Sequence, residues 1–187
     1  MNVIKTKLDG VLIFEPKVFG DDRGFFMETW NYERYKDVGL DVKFVQANLS
    51  KSSKGVLRGL HFQNPKPQGK LVQILTGEVF DVAVDIRKGS PTFGQWHGEY
   101  LSGDNHKQFY IPEGFAHGFC VLSDSAIFSY MCTNTYDAQA DNSLLWNDPK
   151  ININWPISDP SLSEKDKNAV SLDTINVNKL PIYESLK

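Results

Sequence analysis

The first histidine in this sequence is His61, in the segment Val56–Gln63, and its side chain is suited to proton transfer. A histidine titrates at roughly pH 6.5, so its neutral imidazole is an effective base near neutral pH. The apolar residues of the segment predict a strand, whose side chains alternate between two faces. That alternation places Arg58, Leu60 and Phe62 on one face and His61 on the other. A lone histidine on a strand is more often structural, so a catalytic His61 is a hypothesis at this point.

A second segment of interest has the spacing Pro112-x-Gly114-x-x-His117, in which the first two residues predict a turn and the histidine opens a strand. This spacing resembles the second conserved box of the cupin superfamily. Cupins that bind metal carry two histidines and a glutamate in their first box, and a metal site needs three or four ligands. Here that box would hold only His61, because Gln63 stands at its second histidine. The resemblance therefore implies a cupin-like barrel without a metal.

Short strands must position these residues. Apolar runs separated by Gly, Pro, Asn, Asp and Ser recur along most of the chain. Many short strands with regular turns predict an all-β fold, a cupin-type jelly-roll sandwich or barrel, in a single domain over residues 1–187. The predicted strands are Val11–Glu15, Phe25–Trp30, Phe44–Leu49, Val56–Phe62, Leu71–Leu75, Val79–Ile86, Gln95–Leu101, Gln108–Ile111, Gly118–Leu122 and Ala126–Cys132.

Turn and cap residues add three local predictions. Asn31 is a suitable N-cap for a short helix that runs through Val38 and ends at Gly39. A second, C-terminal helix begins near Ser163, where the sequence resembles a capping box. Residues 76–78, Thr-Gly-Glu, predict a tight hairpin.

Composition excludes several protein classes. The formal net charge of -3 argues against a general nucleic-acid binder. Two cysteines, Cys120 and Cys132, lie in apolar segments and are interpreted as free core thiols rather than as a disulfide framework. The sequence has no stretch of signal-peptide type and no run approaching the roughly 20 apolar residues of a membrane helix. These features predict a cytoplasmic protein with no membrane or nucleic-acid partner.

Six blocks of the sequence are informative together: Arg58–Gln63, Gln68–Val72, Phe80–Arg87, Ser90–Gly94, Ile111–Phe119 and Leu145–Pro149. With these blocks and the spacing between them, the chain resembles the dTDP-4-dehydrorhamnose 3,5-epimerase family along nearly its whole length.

The resemblance implies a substrate and a set of catalytic residues. The substrate would be dTDP-4-dehydro-6-deoxy-D-glucose, whose ketone acidifies the protons on C3 and C5. Its epimerisation to dTDP-4-dehydro-L-rhamnose, a step of dTDP-L-rhamnose synthesis, would need a base, an acid on the opposite face and a cation at the oxygen, but no cofactor. The family match assigns His61 as base, Tyr130 as acid and Lys70 to the oxygen. It places Asp166 behind His61, although a helix-capping role for Asp166 competes with that assignment.

The resemblance also implies substrate-binding positions and a homodimer. The cations Arg23, Arg58 and Lys165 suit a diphosphate, and Tyr136 matches a residue that stacks on thymine. In the family an N-terminal segment exchanges with a partner, which would bring Arg23 and Glu28 to the other subunit's site. The implied binding residues are Arg23, Glu28, Gln46, Asn48, Arg58, Lys70, His117, Tyr136, Asp141 and Lys165.

Two positions depart from the family pattern, and three alternatives stay open. Ala47 stands where relatives carry Asp, and Asp141 stands where Glu is usual. One alternative is an epimerase that acts at C3 only. A second is a non-catalytic nucleotide-sugar-binding protein on a degenerate cupin barrel. A third is a metal-dependent cupin oxygenase.

Overall fold

Strands predominate because short runs of alternating residues are interrupted by turn formers. The computed structural model describes residues 1–183, so residues 184–187 of the predicted domain 1–187 lie outside the described residues. The strands are β1 (Asn2–Lys5), β2 (Leu12–Glu15), β3 (Val18–Asp21), β4 (Gly24–Met27), β5 (Gln46–Ser53), β6 (Leu57–Gln63), β7 (Lys70–Thr76), β8 (Glu78–Asp85), β9 (Trp96–Ser102), β10 (Gln108–Ile111), β11 (Phe115–Val121), β12 (Ser125–Cys132) and β13 (Asp141–Ser143).

These strands form two facing antiparallel sheets. One has the order β1-β2-β10-β7-β12-β5, and the other has the order β13-β6-β11-β8-β9. Strands β3 and β4 pair only with each other, as a separate two-stranded ribbon. The predicted all-β fold, a double-sheet jelly roll of cupin type, is therefore confirmed.

Apolar side chains are buried in three layers. The inner core lies between the sheets and includes Val72, Phe109 and Phe128 from one sheet and Ala83 and Phe119 from the other. An outer core lies behind the five-stranded sheet, where the C-terminal segment covers it. The outer core includes Leu57, Leu60, Phe62, Phe80, Val82, Val84, Leu144 and Ile151, with Trp155 and Leu172 packed against it. A third cluster around Phe14 and Tyr35 lies behind the six-stranded sheet.

Two short α-helices, α1 (Tyr32–Asp37) and α2 (Glu164–Lys167), begin at the predicted caps. The side chain of Asn31 accepts the backbone N–H of Arg34, and that of Ser163 accepts the backbone N–H of Asp166. Both helices satisfy otherwise unpaired N–H groups in this way. Within residues 1–183, no helix has the length and apolar character that a membrane crossing requires.

Several local predictions were wrong. Strands β1, β3 and β13 were not predicted, because each is only three or four residues long and forms only by pairing with a neighbour. The predicted strand Phe25–Trp30 ends at Met27, and the one predicted from Phe44 begins at Gln46. The turn at residues 76–78 is not a hairpin, because β7 and β8 belong to different sheets. Gly77, with φ of +84°, carries the chain from one sheet to the other.

The predicted alternation in β6 is also wrong at Arg58. The pairing of β6 with β11 shifts in register between His117 and Phe119. On the outer face Leu57, Leu60 and Phe62 contact the outer core, which is a spacing of three and then two residues. Arg58 therefore does not share a face with Leu60 and Phe62. Its Nε donates to Ser52 Oγ of the facing sheet at 3.1 Å.

The register shift depends on a close backbone approach at Gly59. A Cβ added to Gly59 would lie 2.5 Å from Gly118 Cα and 2.9 Å from His117 O, and the φ of Gly59 is +128°. We expect Gly59→Ala to lower the free energy of unfolding by about 3 kcal/mol, because backbone strain and overpacking both act there. Urea unfolding would measure the change.

The matched control is Gly55→Ala, since Gly55 also has positive φ (+78°) but no atom lies within 4 Å of its added Cβ. That variant should lose only about 1 kcal/mol, the cost of the left-handed backbone alone. Equal losses in the two variants would contradict the proposed backbone contact.

Candidate active site

A cleft of about 400 Å³ opens between the two sheets and receives side chains from both. His61 and Phe62 come from β6, Lys70 from β7 and Tyr130 from β12. The other lining residues are Gln46, Asn48, Gln63, Gln68, Tyr136, Asp141 and Lys165. Eight of the predicted site residues line this one cleft: His61, Lys70, Tyr130, Gln46, Asn48, Tyr136, Asp141 and Lys165.

His61 and Asp166 form a close pair at the wall of the cleft. His61 Nε2 lies 2.6 Å from Asp166 Oδ1, and the Asp166 side chain is buried while His61 is partly exposed. The second oxygen, Asp166 Oδ2, accepts the Ser163 hydroxyl at 2.9 Å. The capping role and the histidine-partner role therefore do not compete, because each uses its own carboxylate oxygen.

This arrangement keeps Asp166 ionised. Burial acts to raise the pKa of Asp166, but hydrogen bonds from His61, Ser163 and the backbone of Gly59 together hold that pKa below its usual value. An anionic Asp166 that accepts Nε2–H fixes one tautomer of His61 and leaves the Nδ1 lone pair available for a proton.

Lys70 brings a cation into the cleft. Among residues 1–183 its ammonium makes no hydrogen bond or ion pair, although the residue is only partly exposed. Burial lowers the pKa of Lys70, while Cys132, Asp81 and Asp141 act in the opposite direction. An ammonium without a protein partner in a confined cleft is suited to an anionic oxygen of a ligand.

His117 lies behind the cleft and forms a second histidine–carboxylate pair, with Asp81. Its Nε2 lies 2.9 and 3.0 Å from the two Asp81 oxygens, and both side chains are buried. Burial lowers the pKa of His117 despite Asp81, and Lys70 and His61 lower it further. A neutral His117 therefore donates its Nε2–H to Asp81. Asp81 was not among the residues predicted from the sequence. The feature that could have identified it is a charged residue within the apolar strand β8.

Tyr130 stands on the sheet that faces His61. Its ring packs edge-on against Phe128, with centroids 5.7 Å apart. Burial raises the pKa of Tyr130 and Cys132 adds to this effect, while the positive charge of Arg58 opposes it. The phenol is therefore protonated at neutral pH and has a proton to donate.

The mouth of the cleft is lined by a polar cluster that includes the exposed Tyr136. Asp141 Oδ2 accepts from Lys165 Nζ at 2.5 Å and from the Tyr136 hydroxyl at 3.2 Å. Gln46 Oε1 accepts the backbone N–H of Tyr136 at 2.8 Å. Asp141 thus reaches both neighbours although it is shorter than the usual Glu. The other departure, Ala47, is exposed.

Gln63, at the position of a missing cupin metal ligand, holds the loop that carries Tyr136. Its Nε2 donates to the carbonyls of Lys66 and Thr135, and its Oε1 accepts the backbone N–H of Asp137. Sequence reasoning used Gln63 only as an argument against metal and missed this role. In the part of the chain that the structure describes, no group of three His, Cys, Asp or Glu side chains could hold a metal ion.

The architecture and the cleft agree with the comparisons to known proteins. A model of the dTDP-4-dehydrorhamnose 3,5-epimerase family matches residues 5–174. This chain belongs to that family. It is similar to the dTDP-4-dehydrorhamnose 3,5-epimerase of Shigella flexneri, with 62% identity over 170 residues, 90% of this chain and 94% of the relative. It is 38% identical to the dTDP-4-dehydrorhamnose 3-epimerase of Streptomyces niveus over 179 residues, 94% of this chain and 86% of that one.

Among solved structures, the dTDP-6-deoxy-D-glucose-3,5-epimerase of Legionella pneumophila, in complex with dTDP-4-keto-L-rhamnose, is similar with a TM-score of 0.95. Its sequence identity is 53%, and the alignment covers 97% of this chain and 98% of that chain.

Four predicted binding residues of this family member do not line its cleft: Arg23, Glu28, Arg58 and His117. Arg23, on the β3–β4 ribbon, is 89% exposed and pairs with Asp21 at 2.5 Å. Glu28 pairs with Arg34 at 3.2 Å and accepts a hydrogen bond from Asn31. Within a single chain, neither side chain lines the cleft that holds His61.

The depressed pKa of Asp166 predicts a pH-dependent contribution to stability. A carboxyl whose folded-state pKa lies below its usual 3.8 stabilises the folded protein above that pH, and the contribution is lost as pH falls through the folded pKa. We expect Asp166→Asn to lose less unfolding free energy than the wild type between about pH 6 and about pH 3. Urea unfolding across this range would measure it. The control is Asp159→Asn, an exposed carboxylate of the same segment, and wild-type pH dependence in Asp166→Asn would contradict the assignment.

Proposed function

We propose that this chain is a dTDP-4-dehydrorhamnose 3,5-epimerase. It converts dTDP-4-dehydro-6-deoxy-D-glucose to dTDP-4-dehydro-L-rhamnose by inverting C3 and C5, as a step of dTDP-L-rhamnose synthesis. The observation that carries the proposal is that His61 and Tyr130 come from opposite sheets and line one cleft, with the cation Lys70 in the same cleft. A base and an acid on opposite walls are what inversion of a carbon requires.

The first step is removal of a proton next to the ketone. His61 Nδ1 takes the proton from C3 or C5, and the C–H electron pair moves into the ring to give an enolate. Asp166 stabilises the resulting imidazolium through its 2.6 Å contact. Because the ketone of the substrate accepts the electron pair, no cofactor is required.

Lys70 stabilises the charge on the enolate oxygen. Its ammonium is held by the strand and by burial rather than by an ion pair, so it does not have to leave a partner when the charge develops. A donor that is fixed in advance stabilises this oxygen better than mobile water does.

Tyr130 completes the inversion. Its protonated phenol gives a proton to the opposite face of the same carbon, and the enolate electrons form the new C–H bond. The phenolate then takes a proton from solvent and the imidazolium returns one to solvent, so the net count of protons is unchanged. Each inverted carbon consequently acquires its hydrogen from water.

The nucleotide occupies the mouth of the cleft in this proposal. Arg58 and Lys165 bind the diphosphate, and Tyr136, which is largely exposed, stacks on the thymine. The remaining proposed contacts from this chain are Gln46, Asn48, His117 and Asp141. Phosphate binding would replace the Lys165–Asp141 ion pair with a contact of Lys165 to the ligand.

We further propose a homodimer in which the N-terminal ribbon of each chain completes the site of the other. The ribbon exposes Phe19, Phe25 and Phe26 by 54%, 61% and 69%, an apolar patch of the kind that contacts protein. Arg23 lies on the same ribbon and does not line the cleft of its own chain. Residues 1–187 act as one domain in this proposal, and the free, buried Cys120 and Cys132 support a cytoplasmic location.

The closest alternative is an epimerase that acts at C3 only. The relative named as a 3-epimerase shares 38% identity with this chain, against 62% for a relative named as a 3,5-epimerase. This difference favours double epimerisation.

Turnover in deuterium oxide tests the reaction. We expect the product of the wild type to carry deuterium at both C3 and C5, because each new hydrogen comes from solvent. His61→Ala should lower the rate by at least about 100-fold while dTDP binding stays within about threefold, since His61 acts on the sugar. Mass spectrometry and NMR would locate the label. Label at C3 alone identifies the single epimerase, and normal turnover in His61→Ala would remove the assigned base.

Complementation tests the exchanged ribbon. Arg23→Ala and His61→Ala should each be nearly inactive alone. In a coexpressed mixture, a heterodimer has one site with both residues intact, so activity should recover to about a quarter of the wild type with random pairing. If Arg23 serves its own cleft, no site is intact and no activity returns. Light scattering should give twice the mass of the 21.2 kDa chain.

A further inference from the structure

Asp148 is a buried carboxylate that neither the cleft nor the proposed chemistry uses. It lies in the block Leu145–Pro149, which resembles the epimerase family but stands outside the site. Its side chain is 2% exposed. Among residues 1–183 it makes no ion pair, and its oxygens accept backbone N–H groups instead.

Asp148 joins two segments that are distant in sequence. Oδ1 accepts from the backbone of Lys150 at 2.8 Å and of Ile151 at 3.3 Å, within the turn that follows β13. Oδ2 accepts from the backbone of Leu172 at 2.6 Å, in the segment that follows α2. Hydrogen bonds from three N–H groups to one carboxylate are strong, because the acceptor is charged.

The segment that Asp148 holds is the one that carries Asp166. Helix α2 has four residues, far fewer than a helix needs to be stable on its own. Its position therefore depends on where its flanks are attached. On the N-terminal side, Ser161 pairs with the start of β6 and the turn before it, through backbone hydrogen bonds of 3.0 Å to Leu57 and 2.8 Å to Gly55. On the C-terminal side, the buried polar attachments include the Leu145–Val170 backbone hydrogen bond of 2.9 Å and the Asp148–Leu172 contact, and the Lys150–Asp173 ion pair lies at the surface beside them.

We propose that Asp148 is a positioning residue, which anchors the C-terminal end of the 161–172 segment and thereby holds Asp166 against His61. The proposal rests on the proposed epimerase function, in which the His61–Asp166 pair removes the proton. A displacement of about 1 Å at a catalytic group can cost up to about 100-fold in rate. In this proposal, the loss of the Asp148 anchor displaces Asp166 relative to His61.

The test is the variant Asp148→Asn, which keeps the size of the side chain but replaces one acceptor oxygen with a donor. We expect kcat to fall about tenfold, while the Kd for dTDP changes less than about threefold, because Gln46 and Tyr136 lie on elements that Asp148 does not hold. Hydrogen exchange of peptides within residues 163–172 should become faster, with the exchange of β7 and β12 unchanged. Asp173→Asn is the matched control, since Asp173 is an exposed residue that follows the same segment and forms a surface ion pair with Lys150.

A double-mutant cycle separates positioning from general destabilisation. If Asp148 acts through Asp166, then adding Asp148→Asn to Asp166→Asn should change kcat by no more than about twofold. An equal loss in both backgrounds, or full activity of Asp148→Asn, would overturn the proposal. Should Asp148→Asn not fold, Asp148→Glu, which keeps the charge, should show the same dependence on Asp166. Absence of turnover in the wild type would instead overturn the proposed function, and it would be evident before any variant is compared.

Discussion

The hydrogen bond between His61 and Asp166 joins the five-stranded sheet to a helix too short to hold its own position. Asp166 contributes one oxygen to this bond and the other to the Ser163 cap. The helix end and the histidine are thus satisfied by the same buried carboxylate. Backbone pairing at both ends places the C-terminal segment over the outer core. This placement brings the Asp166 carboxylate into contact with His61.

The two histidines that pair with carboxylates lie on the neighbouring strands β6 and β11, but their surroundings differ. His61 is partly exposed to the cleft, whereas His117 and Asp81 are buried. Burial lowers the pKa of His117 and favours a neutral ring that donates one hydrogen bond. Similar side-chain pairs are therefore suited to different tasks, one to exchange protons with a ligand and the other to hold a fixed donor in place.

The cleft contains polar side chains that lack the protein partners expected in a sandwich with a purely structural role. Lys70 has no partner among the described residues, and Tyr130 is held protonated by burial. Both are costly for stability, because a charge or a hydroxyl near apolar surroundings loses hydration. The inner core and the outer core, on either side of the five-stranded sheet, offset this cost.

The sequence by itself determined the local features and the chemistry of single residues. Strand alternation in β8, the helix caps at Asn31 and Ser163 and the suitability of His61 as a base all follow from nearest neighbours. Resemblance to a family supplied most of the remaining site residues. Tertiary structure decided what depends on distant partners: the pairing of Asp166 with a histidine 105 positions away, the partnership of Asp81 with His117, and the register shift that takes Arg58 off the face of Leu60 and Phe62. Local patterns report only neighbours along the chain, whereas strand register and backbone approach are set by which segments pack together.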